Sequence, residues 1–392
     1  MKHFSLKTLA LSTFLTAATF TGALAQDANA VADRLKAVLE AQGIAIAWSG
    51  VSGDATNVVL EGVTVRPTTA SEGETASLGT VTLADVVSEN GGYTIGNVTM
   101  GDFSRTEAGT TVDITGISLA GLKLPAENAA DPLSVMMMYQ NADVGAITVK
   151  EGDSQVFAMN NIHFELSPPA DGQPLTFSGN AESFNADLSK TTDPQSKAAI
   201  DALGYQQING SFEVGGSWNP SDGRFAISKY DITVDNAGTL GFTLDLGGYT
   251  TDFIKAMQDA QKAGGDSGQQ GMQMLGLMQQ LTFHSLSVRF DDDSLTNKVL
   301  DFVGSQQGMK GSDIANQMKA VVPILLAQAG LNDIAQPVSE AVTKYLDDPK
   351  SIEIAAAPAS PVPFALIIAG AMSGQPQSLV GTLGVTVKAN ED

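Results

Sequence analysis

The residues with chemical potential are a Gly265-Asp266-Ser267-Gly268 tetrapeptide, two histidines at 163 and 284, an acidic run Asp291-Asp292-Asp293-Ser294, and two groups of methionines. A serine between glycines can act as a nucleophile when a histidine takes its proton and backbone N–H groups hold the oxyanion. Here the tetrapeptide sits in a polar, glycine-rich stretch between two helical segments, and both histidines fall inside strand-like segments. That setting reads as a linker rather than a catalytic turn. Two histidines with a carboxylate could also hold zinc, which takes three or four such ligands. His163 and His284 are about 120 residues apart with no second histidine at helical spacing, so they read as hydrogen-bonded or solvent-facing strand residues.

The acidic run offers oxygen ligands of the kind hard cations prefer. It also directly precedes a helical segment, where Asp and Ser cap free N–H groups and complement the helix dipole. Capping is the favoured reading. Methionine is adaptable and suits surfaces that accept varied apolar ligands, although core filling uses it equally well. Met136, Met138, Met257, Met272, Met274 and Met278 are the residues named for contact with an apolar ligand. No phosphate loop, dinucleotide glycine fingerprint, HExxH, GxSxG or SxxK motif occurs. The chain therefore reads as non-enzymatic, with no cofactor and no metal site assigned.

Composition narrows the partners. The net charge of −22 disfavours nucleic acid and anionic lipid headgroups as partners held by charge alone. The absence of cysteine excludes disulfides and thiol chemistry, leaving burial and hydrogen bonding to stabilise the fold. Lys2 and Lys7, an apolar run from Leu9 to Phe20 and the small-residue site Ala23-Leu24-Ala25 form the three parts of a secretory signal, with cleavage expected after Ala25. That run is too short to span a bilayer as a helix, and the next most apolar stretch, Phe364 to Met372, is shorter still. The expected location is the periplasm, with no transmembrane segment.

These residues must be positioned by a largely β framework. Val31, Leu35, Val38 and Leu39 have helical spacing within 28–42 and stop at Gly43, a glycine C-cap. After the apolar run Ile44 to Trp48 comes a repeated pattern: apolar, two variable positions, apolar, Thr or Ser, apolar. It occurs from Leu60 to Val65, Leu78 to Leu83, Ile95 to Met100 and Ile114 to Leu119, with starts 18, 17 and 19 residues apart. Looser copies run from Val144 to Val149, Met159 to Phe164 and Phe283 to Val288. Alternation predicts that the last two apolar residues of a copy share one face, while the first apolar residue and the hydroxylated one point to the other.

Asn90-Gly91-Gly92 marks a hairpin, so the copies are expected to form an antiparallel meander, curved where glycines admit bulges. A helix over 193–203 is expected, with Asp193 as cap and Pro194 in the first turn. Strands follow near 205–218, 224–234 and 240–246. Helices are then expected at 251–263, 271–280, 295–308, 312–330 and 331–347, around one strand at 281–290, with Gly264 to Gly268 as a flexible break. The tail reads as strands at 351–356 and 379–388 flanking an apolar helix at 364–372. The organisation is thus a signal peptide (1–25), a repeated-strand region (26–250), a mostly helical region (251–350) and a tail (351–392) returning to the same sheet. The fold class is α+β and mainly antiparallel β, a long curved meander with helices packed on it, concentrated in the C-terminal third.

The strand copies over roughly 44–250 resemble the repeated strand segments of AsmA-like envelope proteins, whose sheets curve into grooves associated with lipid or outer-membrane homeostasis. The segment from Asp348-Pro349-Lys350-Ser351 through Pro361-Val362-Pro363-Phe364 resembles that of uncharacterised exported proteins of alphaproteobacteria. The second resemblance implies a lineage and a compartment but no activity, and neither carries a functional residue over; the apolar-ligand expectation rests on the two-faced strands, the methionine clusters and the export signal. The functional expectation is a periplasmic protein that binds an apolar or lipid-like ligand or supports envelope maintenance. The alternative is a structural or protein-interaction module of the envelope, with a hydrolase third.

Overall fold

The computed structural model describes residues 23–69, 75–129, 138–169, 173–263, 267–372 and 376–391. The expected signal segment lies outside these residues, apart from Ala23 to Ala25 at the start of the first helix. The chain divides into two compact units, one of Met1–Pro168 with Gly179–Thr192 and one of Pro169–Ser178 with Asp193–Asp392. All eighteen strands among the described residues belong to one sheet. The architecture is α+β and mainly antiparallel, as the sequence predicts.

The first unit opens with helix α1 (Ala23–Ala41). It continues through β1 (Ile44–Ala47), β2 (Gly50–Gly53), β3 (Asn57–Pro67), β4 (Ala76–Glu89), β5 (Gly92–Met100), β6 (Phe103–Glu107), β7 (Thr110–Thr115) and β8 (Ser118–Leu124). Then come β9 (Asn141–Glu151), β10 (Ser154–Ser167) and β11 (Leu175–Asp187), the last contributing residues to both units. The strands form a meander in which β3 pairs β4, β4 pairs β5, β5 pairs β8, and β9 pairs both β8 and β10. Asn90 and Gly91 both have positive φ at the β4–β5 turn, the two-residue hairpin geometry that Asn-Gly favours.

Helix α1 forms because Ala28, Val31, Ala32, Leu35 and Leu39 line one face, all buried against the sheet. It packs on β1, β2, β3 and β8, and Gly43 (φ +85) follows as the expected left-handed residue.

The face assignment of the repeat needs correction. Leu60, Val63 and Val65 are all buried, as are Leu78, Val81 and Leu83, so the first apolar residue of these copies shares the face of the last two. The reason is a break in alternation. The β3–β4 register shifts between Leu60 and Val63, where Gly62 has φ +62, and Gly79 on β4 has φ +66. One left-handed residue inside the spacing adds a residue without a step of pleat, so positions three apart point the same way. The breaks recur on successive strands. Gly116 (φ +65) separates β7 from β8 and faces Gly145 on β9 so closely that a Cβ on Gly116 would meet that backbone at 3.2 Å. At Gly79, by contrast, a Cβ would meet nothing closer than 3.9 Å. Gly79→Ala is therefore expected to lose only the conformational term, about 1–2 kcal/mol, with Gly79→Asn losing less; urea unfolding of both variants checks this.

The second unit begins with α2 (Pro194–Leu203). The Asp193 carboxylate accepts the Ser196 N–H at 2.8 Å, which holds that carboxyl below the ordinary aspartate range, and Gly204 ends the helix at φ +76. Strands β12 (Gln207–Asn219), β13 (Arg224–Val234) and β14 (Gly238–Gly247) follow, then α3 (Thr251–Ala263), α4 (Ser267–Met278), β15 (Thr282–Asp292), α5 (Leu295–Gln306), α6 (Gly311–Gln328) and α7 (Asn332–Asp347). The tail is β16 (Ser351–Ala356), β17 (Val362–Pro363), α8 (Phe364–Met372), α9 (Pro376–Leu383) and β18 (Val385–Ala389).

Several elements differ from expectation: α1 starts at Ala23 rather than near 28, β11 falls where no strand is expected, and two boundaries shift in the second unit. Leu379–Leu383 is helical rather than strand, and β18 starts only after Gly384 (φ +60). The expected break at 264–268 is shorter, because α4 already starts at Ser267; residues 264–266 lie outside the described set.

Candidate functional site

The sheet of the second unit is two-faced because its strands alternate, with irregularities between Ile227 and Tyr230 on β13 and between Phe283 and Leu286 on β15 that keep apolar residues three apart on one face. Cross-strand register arranges the apolar residues of one face in four rows. The first row is Phe212, Ile232, Leu240, Phe290, Ile352 and Ala389. The second pairs Val214 with Tyr230, then runs Phe242, Val288, Ile354 and Val387. The third is Ile227, Leu244, Leu286, Ala356 and Val385. The fourth is Trp218, Phe225, Leu246, Phe283 and Val362.

The opposite face holds the charge. Lys229 pairs with Glu213 and Asp231, Arg224 with Asp245, and Arg289 with Asp291. These partners hold Lys229 and Arg224 above their ordinary pKa, chiefly through the hydrogen bonds that Lys229 donates to Glu213 and Arg224 donates to Asp245.

Helices cover the two ends of the apolar face. At one end α7 packs on β16 and β18, where Ala341 and Tyr345 meet Phe290, Ile352 and Ala389. Tyr345 is tied to α5 through Thr296, and burial pushes its phenol pKa up. At the other end Tyr249 packs on Trp218 and Phe225 and is itself backed by Phe253, with the Trp218 indole N–H donating to the Tyr249 carbonyl at 2.7 Å. Phe364 at the start of α8 covers Phe283, ring centroids 6.5 Å apart.

Between these ends Tyr230, Leu240, Val288 and Ile354 stay 37%, 47%, 38% and 51% exposed. Phe212, Tyr230 and Phe242 stack edge to face across three strands, with centroids 5.2 and 6.3 Å apart. The result is an apolar floor with no charged side chain in any row. Large apolar side chains clustered at a surface depart from ordinary surface composition, in which exposed apolar residues are scattered singly.

The residues singled out in the sequence fall elsewhere. Met136 lies outside the described residues, and Met138 is half-buried in the first unit, its carbonyl accepting the Lys123 N–H at 2.7 Å. Met257 on α3 and Met274 and Met278 on α4 are half-buried in a helix pair that packs on itself, and Met272 is 77% exposed.

His163 on β10 is bonded through Nδ1 to Asp143 on β9 at 2.6 Å, and Ser118 on β8 stands in register with Asp143. The aspartate is therefore the middle member, whereas nucleophile activation needs the histidine between serine and carboxylate. His284 lies 3.4 Å from the Thr282 hydroxyl on its own strand.

In the acidic run, Asp291 is held by the Arg289 guanidinium at 2.7–3.0 Å. Asp292, and not Ser294, caps α5 by accepting the Thr296 N–H at 2.8 Å. A further cleft of about 600 Å³ between α6 and α7, lined by Lys319, Gln336, Glu340 and Lys344, lies wide open to solvent. Lys319 there is already paired with Asp347.

The floor residues were missed because each reads as an ordinary alternating strand position. Their alternation was visible; the lack of a covering helix was not.

Fold and site together define an α+β protein with a two-faced antiparallel sheet and an open apolar floor. A protein family described only as an uncharacterized protein matches residues 231–390, from β13 to the end of β18, and so most of the second unit. No curated protein matches the chain. Among the described residues no helix is long and apolar enough to cross a membrane.

Proposed function

We propose that this protein is exported to the periplasm and binds the hydrocarbon part of a lipid-like ligand on the apolar floor of its second unit, as a carrier or envelope-maintenance protein without enzymatic activity. The observation that carries the reading is the exposure of Tyr230, Leu240, Val288 and Ile354 in a continuous apolar field whose reverse face holds the charges. Burying such side chains against an acyl chain releases roughly 25 cal/mol per Å² of apolar area. The export signal and the likeness of the strand copies to AsmA-like envelope proteins support the same compartment and ligand class.

Native mass spectrometry with lipid extraction, on protein purified gently from its host, tests this. A co-purifying lipid or apolar metabolite is expected. Ile354→Asp should lower its occupancy by about tenfold or more, since a carboxylate facing hydrocarbon costs well over the 1.4 kcal/mol that tenfold represents. A clean apo mass, or equal loading of the variant, sinks the proposal.

A further inference from the structure

From Ile354 to Val387 the chain contains no Asp, Glu, Lys or Arg, although 16% of the whole sequence is charged. This stretch carries β17, α8 and α9. Helix α8, with the sequence Phe-Ala-Leu-Ile-Ile-Ala-Gly-Ala-Met, has no buried residue, and Leu366 and Met372 are 59% and 80% exposed. The two helices pack on one another, and at Gly370 a Cβ would meet the Leu379 side chain at 2.5 Å, which shows how closely they approach. The hairpin is fixed at its base. The Phe364 N–H donates to the Leu281 carbonyl at 3.0 Å, the Phe364 ring packs on Phe283, and Val362 is in register with Phe283.

We infer that the α8–α9 hairpin is the element by which the protein docks on a lipid bilayer of electrically neutral surface, with Leu366 and Met372 entering the headgroup–acyl boundary. Three observations select this occupant. Charge is absent on both sides of α8 and α9 along the chain, from Ile354 to Val387, and charged side chains are what a hydrocarbon layer excludes. Helices of 9 and 8 residues reach only about 13 Å each at 1.5 Å per residue. They can lie in the interface but cannot cross a hydrocarbon layer of roughly 30 Å. The net charge of −22 repels anionic headgroups, and the hairpin offers no Lys or Arg to offset it, so zwitterionic lipid is the matching surface. The inference stands on the charge-free hairpin and does not need the floor to hold a ligand.

The absence of cysteine makes a single introduced cysteine a unique labelling site. The test uses Met372→Cys carrying an environment-sensitive fluorophore, with Gln307→Cys, at an exposed position after α5, as control. On adding phosphatidylcholine vesicles the label at 372 is expected to shift to the blue and the label at 307 to stay unchanged. Leu366→Asp in the 372 background should raise the half-saturating lipid concentration at least tenfold, and vesicles containing phosphatidylglycerol should bind less well. No shift at 372, equal shifts at both positions, or indifference to Leu366→Asp would overturn the inference. A blue shift at 372 that grows with protein concentration in the absence of vesicles would overturn it too, by assigning the hairpin to a second copy of the chain. Ile354→Asp should leave the vesicle response intact, so failure of the floor and failure of the hairpin are read separately.

Discussion

Leu83→Ala is expected to destabilise the first unit by about 3 kcal/mol, whereas Leu240→Ala in the ligand-free second unit should cost under about 1 kcal/mol. The residue type and the strand setting are the same. Leu83 is fully buried, in register with Val58 and Val98 beneath α1, and truncation leaves a cavity whose walls are held by the meander. Leu240 is already 47% in water, so its methyl groups have few contacts to lose. For a unit of this size the Leu83 change should lower the midpoint of thermal unfolding by about 6–12 °C. Calorimetry or denaturant unfolding of delipidated protein checks both variants. A loss at Leu240 as large as at Leu83 would mean that the floor is filled by the protein's own side chains, and the binding proposal would fall with it.

The second large effect is expected at Asn390, just after β18. Its side-chain oxygen accepts the N–H groups of Lys350 and Ser351 at 3.3 and 3.1 Å, and its side-chain nitrogen donates to the carbonyls of Lys344 and Asp348 at 3.1 and 2.8 Å. One amide thus closes the C-terminus of α7, the turn into β16 and the end of β18. Its φ of +55 is a left-handed conformation that asparagine tolerates better than most residues.

Asn390→Ala loses four hydrogen bonds and the conformational fit, and is expected to cost about 2–4 kcal/mol at roughly 1 kcal/mol per bond, reduced by partial solvent access. Asn390→Gly restores the backbone freedom alone. Asn390→Asp keeps an acceptor and loses the two donated bonds. If the hydrogen bonds matter more than φ, urea unfolding should place the glycine variant close to alanine and the aspartate variant between alanine and the native protein. A glycine variant as stable as the native protein would show that the backbone conformation alone is at stake.

Much of the fold was legible because local chemistry decided it. Asp193-Pro194 set the start of α2, Asn90-Gly91 set a hairpin, and Leu35 and Leu39 marked the buried face of α1, each through an interaction spanning a few residues. The first three copies of the repeat, from Leu60 to Met100, announced single strands, whereas the fourth, Ile114 to Leu119, is split between β7 and β8 at Gly116. The facing of the repeat was misread because Gly62 and Gly79 take positive φ, and sequence spacing cannot show which glycine breaks the pleat.

The functional reading from sequence turned to methionines because their clustering is visible along the chain. The floor instead comes from Tyr230, Phe242, Val288 and Ile354, which lie on four strands and become neighbours only through cross-strand register.

The sequence by itself thus determined the composition of the protein: strongly acidic, without cysteine, built from alternating strands, with an uncharged stretch near its end. Those properties are sums over residues or patterns within a few turns. The tertiary structure decided which apolar faces are covered. Helix α1 buries the face of the first unit, α7 and the aromatic side chains around Phe253 cover only the ends of the second, and the middle stays open. Coverage depends on where distant helices pack, and alternation, being identical for a covered and an uncovered strand, carries no record of it.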